Sequence, residues 1–227
     1  MKCIVKLEIQ AVMKKFAVII SGCGVFDGAE IHETVLTLLA IDRQGAAYQL
    51  FAPDMEQYHV VNHLTGKVMD ERRNVLVEAA RIARGEIMSL IDFNAGAFDG
   101  LILPGGFGAA KNLCSWAYEG DGCRVNPSVE KAIRAMMELK KPVGAMCIAP
   151  VILAKMVTGT NLTTGHDKDS GNFIRKTGSA YTTTTHGEVV VDEIHKIFST
   201  PCYMLDATIT QVAEGAEQIV REMLKRM

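Results

Sequence analysis

No apolar stretch in this chain reaches membrane-spanning length, and no helix-sized hydrophobic block stands in for one. Charge of one sign is also missing. The 227 residues carry 24 Lys+Arg against 26 Asp+Glu, a net charge of −2. With no strong basic patch, neither nucleic acid nor a membrane surface is an expected partner. The segment 12–25 is apolar, but Lys14-Lys15 interrupt it and Gly22-Cys23-Gly24 close it, so it lacks the order of a signal peptide. The six cysteines, at 3, 23, 114, 123, 147 and 202, have neither a metal-ligand spacing nor a compact disulfide framework. No metal site is expected, and a reducing cytoplasm is the expected location. Repeats, low-complexity tracts and linkers are absent too. One domain over 13–227 is the economical division. Residues 1–12 precede Met13-Lys14-Lys15, which reads as a start of its own, and are expected to be an extension that adds little to the fold.

What is present is an alternation. Strands are predicted at 16–21, a continuous apolar run, and at 47–52, 98–103, 142–146 and 189–191. Helices are predicted at 30–43, 74–84, 126–139 and 207–226. In the first of these Ile31, Val35, Leu38 and Leu39 recur at helical spacing, and in the last Val212, Ala216, Ile219, Val220 and Leu224 do. Apolar strands separated by amphipathic helices imply an α/β fold with a mostly parallel sheet covered on both faces. Sites in such sheets form at the carboxyl ends of the strands. Three unusual segments lie at such ends, 21–33, 104–108 and 147–150, and the topology brings them together.

The third segment carries the most information. In Gly144-Ala145-Met146-Cys147-Ile148-Ala149-Pro150 an apolar strand breaks at a thiol, and proline suits the first turn of a following helix. That is strand, sharp turn, helix, with the cysteine at the apex. The next backbone N–H and the helix terminus face any anion formed there, and their field favours thiolate over thiol. The plain alternative is a buried, inert cysteine. In Pro104-Gly105-Gly106-Phe107-Gly108 the glycines allow close backbone approach. The N–H groups of Gly106 and Ile148 are candidate oxyanion donors, with Phe107 a candidate substrate contact. The string is not a phosphate loop, because no Lys-Ser/Thr pair follows. In Gly28-Ala29-Glu30-Ile31-His32-Glu33 both glutamates suit a helix start, but Glu33 also stands where it can enter the cleft beside Cys147 with a raised pKa.

Together, Gly28-Ala29-Glu30-x-x-Glu33-Thr34-Val35, Leu103-Pro104-Gly105-Gly106 and Ala145-Met146-Cys147-Ile148-Ala149-Pro150 resemble the ThiJ/PfpI superfamily. This is the class I glutamine amidotransferase-like group that includes the parkinsonism-associated deglycase. Ser21-Gly22-Cys23-Gly24-Val25-Phe26-Asp27-Gly28, Asn62-His63-Leu64-Thr65-Gly66 and Gly105-Gly106-Phe107-Gly108-Ala109-Ala110-Lys111-Asn112-Leu113 resemble its ElbB-like branch more narrowly. Members of that branch are called enhancing lycopene biosynthesis protein or isoprenoid biosynthesis glyoxalase. The resemblance covers about residues 14–224. It implies a flavodoxin-like three-layer sandwich, a homodimer, no cofactor, and a small aldehyde substrate attacked by Cys147 with Glu33 as its carboxyl partner. It also implies that Gly106 lines the oxyanion pocket and that a histidine, matched here by His166, lies across it. His166 reads equally as a surface residue in a turn.

Other residues are less determined. Cys23 borders the pocket or simply packs in a tight turn. The string His186-Gly187-Glu188 mimics a glutaminase pair, but only 39 positions after Cys147, and reads as a strand flank. Cys114 and Cys123 flank what reads as a surface excursion. The long segment 57–73 is expected at a two-fold interface or on the pocket rim, bringing His63 or Leu64 near the site. The leading functional reading is a cofactor-free glyoxalase. Its rivals are a redox-sensing or partner-binding protein using Cys147 and an amidotransferase subunit.

Overall fold

The computed structural model describes residues 13–227; the expected extension 1–12 lies outside them. The chain opens with strand β1 (Lys15–Ile19) and helix α1 (Ile31–Arg43), then β2 (Ala47–Ala52). A short hairpin follows, β3 (Val61–Asn62) with β4 (Lys67–Val68), then α2 (Val75–Ile82), β5 (Ile87–Ser89) and β6 (Gly100–Leu103). A single π-helical turn, Ala109–Leu113, leads to the short α3 (Trp116–Glu119), α4 (Pro127–Glu138), β7 (Val143–Met146) and α5 (Pro150–Met156). The last third holds β8 (Asn161–Leu162), α6 (Lys168–Lys176), β9 (Ala180–Tyr181), β10 (Val190–Asp192), β11 (Ile197–Thr200) and α7 (Ile209–Leu224).

Seven of these strands form one sheet in the order β10-β11-β7-β6-β1-β2-β5. All its pairings are parallel except β10 with β11. Parallel strands covered on both faces must be apolar throughout. Accordingly Phe16, Ile19, Leu101, Ile102, Leu103 and Phe198 are fully buried, each side chain contributing about 1.5–3 kcal/mol of burial. Helices cover the sheet to make the flavodoxin-like three-layer sandwich. Asn126 caps α4 by accepting from the N–H of Ser128 and Val129, with Pro127 in the first turn. A capping box of Thr208 and Gln211 starts α7.

The sheet order fixes the site. From β1 the chain moves outward through β2 to β5, then returns to the other side of β1 with β6, β7 and β11. The strand order therefore reverses beside β1, and the carboxyl ends of β1, β6, β7 and β11 meet there, where open α/β sheets bind ligands.

Helix α1 faces opposite to the direction its apolar spacing suggests. Ile31, Val35 and Leu39 are exposed, while Glu33, Thr34, Thr37, Ala40 and Ile41 are buried. The buried polar groups are satisfied locally. Thr34 Oγ1 donates to Glu30 O, and Thr37 Oγ1 to Glu33 O, each at 2.7 Å. The small, hydrogen-bonded face is the one that fits beside α7, and Glu33 rides into the interior with it. The segment 57–73 carries the β3–β4 hairpin. Its tip residue Leu64 is 98% exposed, while His63 packs on the loop after β1, its ring 5.0 Å from that of Phe26 and its Nε2 accepting from Phe26 N at 3.2 Å.

Candidate active site

Cys147 follows β7 directly and adopts φ +58°. A side chain in this left-handed region is sterically costly, and such strain persists where surrounding structure holds it. Here its N–H donates to Thr200 O at 3.0 Å, while Pro150 begins α5 three residues further on. This is the strand, sharp turn and helix that the strand-thiol-proline order predicts, with the thiol at the apex. The thiol is nearly buried, 7% exposed, yet it opens onto a cavity of about 450 Å³.

Glu33 enters from α1. It is fully buried and holds two backbone donors: Gly105 N–H on Oε2 at 3.0 Å and Tyr203 N–H on Oε1 at 3.1 Å. Its own N–H donates to Glu30 Oε2 at 2.6 Å, so Glu30 caps the helix that carries it. Burial is the largest influence on Glu33 and pushes its carboxyl up to about 7; nearby Glu30 adds to the rise, and the Tyr203, Cys147 and Gly105 hydrogen bonds oppose it. The expected raised pKa and the expected inward placement both hold.

The thiol behaves differently from its expected thiolate character. Burial, then the Glu33 charge facing it, push Cys147 well above the usual thiol range, while the N–H groups of Gly106 and Ile148 face the sulfur and favour its anion. The helix-end field anticipated from the sequence is present but is outweighed by desolvation. Cys147 and Glu33 therefore form a coupled acid pair that gives up its first proton at about 7 and keeps the second to well above that.

Two glycines make this contact feasible. A Cβ on Gly105 would collide with Cys147 Cβ and stand 2.5 Å from Glu33 Oε2. Gly106 has φ +95° and packs against the Glu30 backbone. We expect Gly105→Ala to displace either Cys147 or Glu33, read as a changed rate of Cys147 alkylation by iodoacetamide with the fold retained by circular dichroism; an unchanged rate would contradict this packing.

The remaining expectations divide. Gly106, Phe107, Cys147 and Ile148 all line the cavity. Cys23 does not. It is half-buried, its thiol pushed up by burial and by Glu78, with Arg81 and Asp27 also acting on it. It thus belongs to the α2 side of the loop. His166 is exposed and is absent from the cavity lining, whereas its neighbours Asp167 and Asp169 line it. The backbone turns here to start α6, with Asp167 as its cap accepting from Ser170 N at 2.9 Å, and the histidine side chain falls outside. His186 Nε2 lies 3.1 Å from Asp206 O and does not line the cavity, so no glutaminase-type pair forms with Cys147. Neither His63 nor Leu64 lines the cavity, although Val25, from the loop His63 packs on, does.

Several lining residues escaped the sequence. Cys114 and Cys123 are buried, and between them Trp116 and Ala117 form one cavity wall rather than a surface excursion. Tyr203 and Met204 form another. Their signal was strand β11 itself, a short apolar run ended by Pro201, whose carboxyl end completes the row formed by β1, β6 and β7. No group of His, Cys, Asp and Glu suited to a metal ion occurs among the described residues.

This geometry has relatives. A family model described as the DJ-1/PfpI family matches residues 23–199. The chain belongs to the DJ-1/PfpI family. It is 40% identical over 221 residues to the human glutamine amidotransferase-like class 1 domain-containing protein 3, mitochondrial, covering 93% of this chain and 82% of that protein. It is 30% identical to the zebrafish (Danio rerio) ES1 protein, mitochondrial, covering 92% and 84%. Among solved structures, an isoprenoid biosynthesis protein with an amidotransferase-like domain from Ehrlichia chaffeensis superposes with a TM-score of 0.87 at 33% identity, over 94% of this chain and 100% of that one. Glyoxalase III from Candida albicans superposes at 0.61 with 12% identity, over 94% and 97%, a likeness of fold. The DJ-1/PfpI chain thus carries its family's sheet with a thiol and a buried carboxyl at the strand ends.

Proposed function

We propose that this protein is a cofactor-free glyoxalase acting on small α-oxoaldehydes, glyoxal best. The observation that carries the reading is the buried Cys147–Glu33 pair with two backbone N–H groups facing the sulfur. The Cys147 sulfur adds to one aldehyde carbon, forming a C–S bond and an alkoxide held by Gly106 and Ile148 N–H groups. The thiol proton passes to Glu33 and on to that oxygen, giving a hemithioacetal. Glu33, again a carboxylate, removes the C–H proton from the same carbon, and the electron pair forms an enediol. Returning the proton to the second carbon leaves a thioester. Water cleaves it, the thiol is restored, and glycolate leaves. Glyoxal plus water yields glycolate, so no oxidant, metal or external thiol is consumed.

The cavity walls agree with a small uncharged substrate. Phe107, Trp116 and Tyr203 supply apolar surface, and the charged residues lining it are Glu30, Asp167 and Asp169. An anionic 2-oxo acid is disfavoured there. Deglycation of aldehyde adducts shares the first step. A redox-sensing or partner-binding role would draw on the same Cys147 thiol and Glu33 carboxyl, and turnover of glyoxal is what separates it from the proposed reaction. The test is turnover of glyoxal and methylglyoxal without glutathione, with a higher kcat/KM expected for glyoxal; absence of turnover with both would contradict the reading.

A homodimer is part of the same proposal, supported by the exposed Ile31, Val35 and Leu39 stripe on α1. Light scattering should give twice the 24.7 kDa chain mass, and a monomer at micromolar concentration would contradict it. A reducing compartment, the cytoplasm in our reading, is supported by the free cysteines 23, 114, 123, 147 and 202.

A further inference from the structure

We propose that Tyr203, latched by His32, is a positioning residue that sets the charge state of Glu33. The proposal rests on the reading of Cys147 and Glu33 as the reacting pair. Tyr203 belongs to the segment after β11 that walls the cavity. It is stitched to two successive residues of α1. Its backbone N–H donates to Glu33 Oε1 at 3.1 Å, and its hydroxyl lies 2.9 Å from His32 Nδ1, with the two rings 6.0 Å apart.

The two donors on Glu33 differ in how they are fixed. Gly105 N–H follows directly from β6, a central strand of the sheet. Tyr203 N–H comes from a 3₁₀ turn, Cys202–Met204, whose first residue is buried at φ +43°. Left-handed backbone at a non-glycine residue holds only where its surroundings impose it. The hydroxyl contact to His32, on the surface of α1, is one such tether and sits next to the hydrogen bond it would steady.

Each N–H on a carboxylate oxygen favours the ionised form. Against them stand burial and the Glu30 charge. The titratable groups facing Glu33 are Glu30 from its own helix, Cys147 from the elbow, and Cys202 and Tyr203 from the segment after β11. Burial, with Glu30 and Glu33 beside it, pushes the Tyr203 phenol up, so its hydroxyl keeps its proton. Loosening the latch weakens the Tyr203 donor, and Glu33 then holds its proton to higher pH. His32 is exposed and touches no cavity residue other than Tyr203 in the contacts described, which makes it a remote handle on the carboxyl.

The experiment follows alkylation of Cys147 by iodoacetamide against pH, read by peptide mass, beside the pH profile of kcat/KM with glyoxal. Tyr203→Phe and His32→Ala should each move the acidic limb of both profiles upward by about 0.5 pH unit, part of what one full backbone donor contributes, because the N–H remains and is only loosened. The double variant should move it no further, and His32→Gln, which can still bond the hydroxyl, should restore it. Unmoved limbs in the folded single variants, additive shifts, or no rescue by glutamine would overturn the proposal. His32 is exposed, so its variants keep the test valid if Tyr203→Phe does not fold. The alkylation profile needs no turnover; a shift there in a protein inactive on glyoxal would support the latch while refuting the glyoxalase reading.

Discussion

Replacing Cys147 with alanine should abolish aldehyde turnover while the protein stays folded. In the proposed mechanism the thiol supplies the bond-forming atom, so no neighbouring group substitutes for it. Its packing contribution is small by comparison. Alanine retains the Cβ, keeps the elbow at its φ of +58°, and leaves a void the size of one sulfur next to a cavity that already exists. The steady-state rate with glyoxal should fall to the buffer background, with a thermal transition close to that of the unaltered protein. A folded alanine variant with near-normal turnover would end the covalent mechanism.

Replacing Glu33 with glutamine should separate activity from stability. Glutamine keeps the shape and an acceptor oxygen for one of the two backbone donors, and it has no proton to titrate. Turnover should fall about 100-fold or more, the range for general acid–base groups. Stability should move the other way. The folded carboxyl sits at about 7, against 4.5 for the free side chain. Between those values the unfolded chain has released the proton and the folded one retains it. Stability conferred by the neutral carboxyl is therefore full below pH 4.5 and lost as pH rises through 7. The penalty above pH 7 is about 3 kcal/mol. Glu33→Gln removes the titration, so urea melts should show it more stable than the native sequence at pH 8 and much less so at pH 4. The native protein's kcat/KM should rise with pH through about 7, as the first proton leaves the pair. A glutamine variant with native turnover and no change in the pH dependence of stability would make Glu33 a helix-start residue only.

The fold and the Cys147–Glu33 pairing were legible for different reasons. Fully buried parallel strands must be apolar throughout, so 16–21 and 142–146 announced themselves by composition. Cys147 was legible because a thiol ending such a strand and a proline opening a helix leave little room for anything except a sharp turn. Glu33 needed the spacing from the glycine-rich start of α1, and its inward direction could not come from periodicity. Ile31, Val35 and Leu39 of that helix point outward, and Glu33, Thr34 and Thr37, hydrogen-bonded locally, are buried beside Ala40 and Ile41. His166 misled because a sequence places a residue in a turn without fixing the direction of its side chain. Here the Asp167 cap turns the chain into α6 and leaves the histidine outside. The thiolate expectation failed on magnitude: two N–H groups favour the anion, but complete burial beside a carboxyl costs more. Tyr203 was invisible because its role lies in its backbone N–H, which every residue but proline carries.

The central claim is that Cys147 converts glyoxal to glycolate with no added thiol. The most direct measurement is a carbon-13 NMR time course of doubly labelled glyoxal with metal-chelated, glutathione-free protein, run for the native sequence and for Cys147→Ser. The account predicts labelled glycolate growing in as glyoxal disappears with the native protein, and none above buffer with the serine variant. Glycolate forming equally fast with Cys147→Ser, or not forming at all with the native protein, would contradict it.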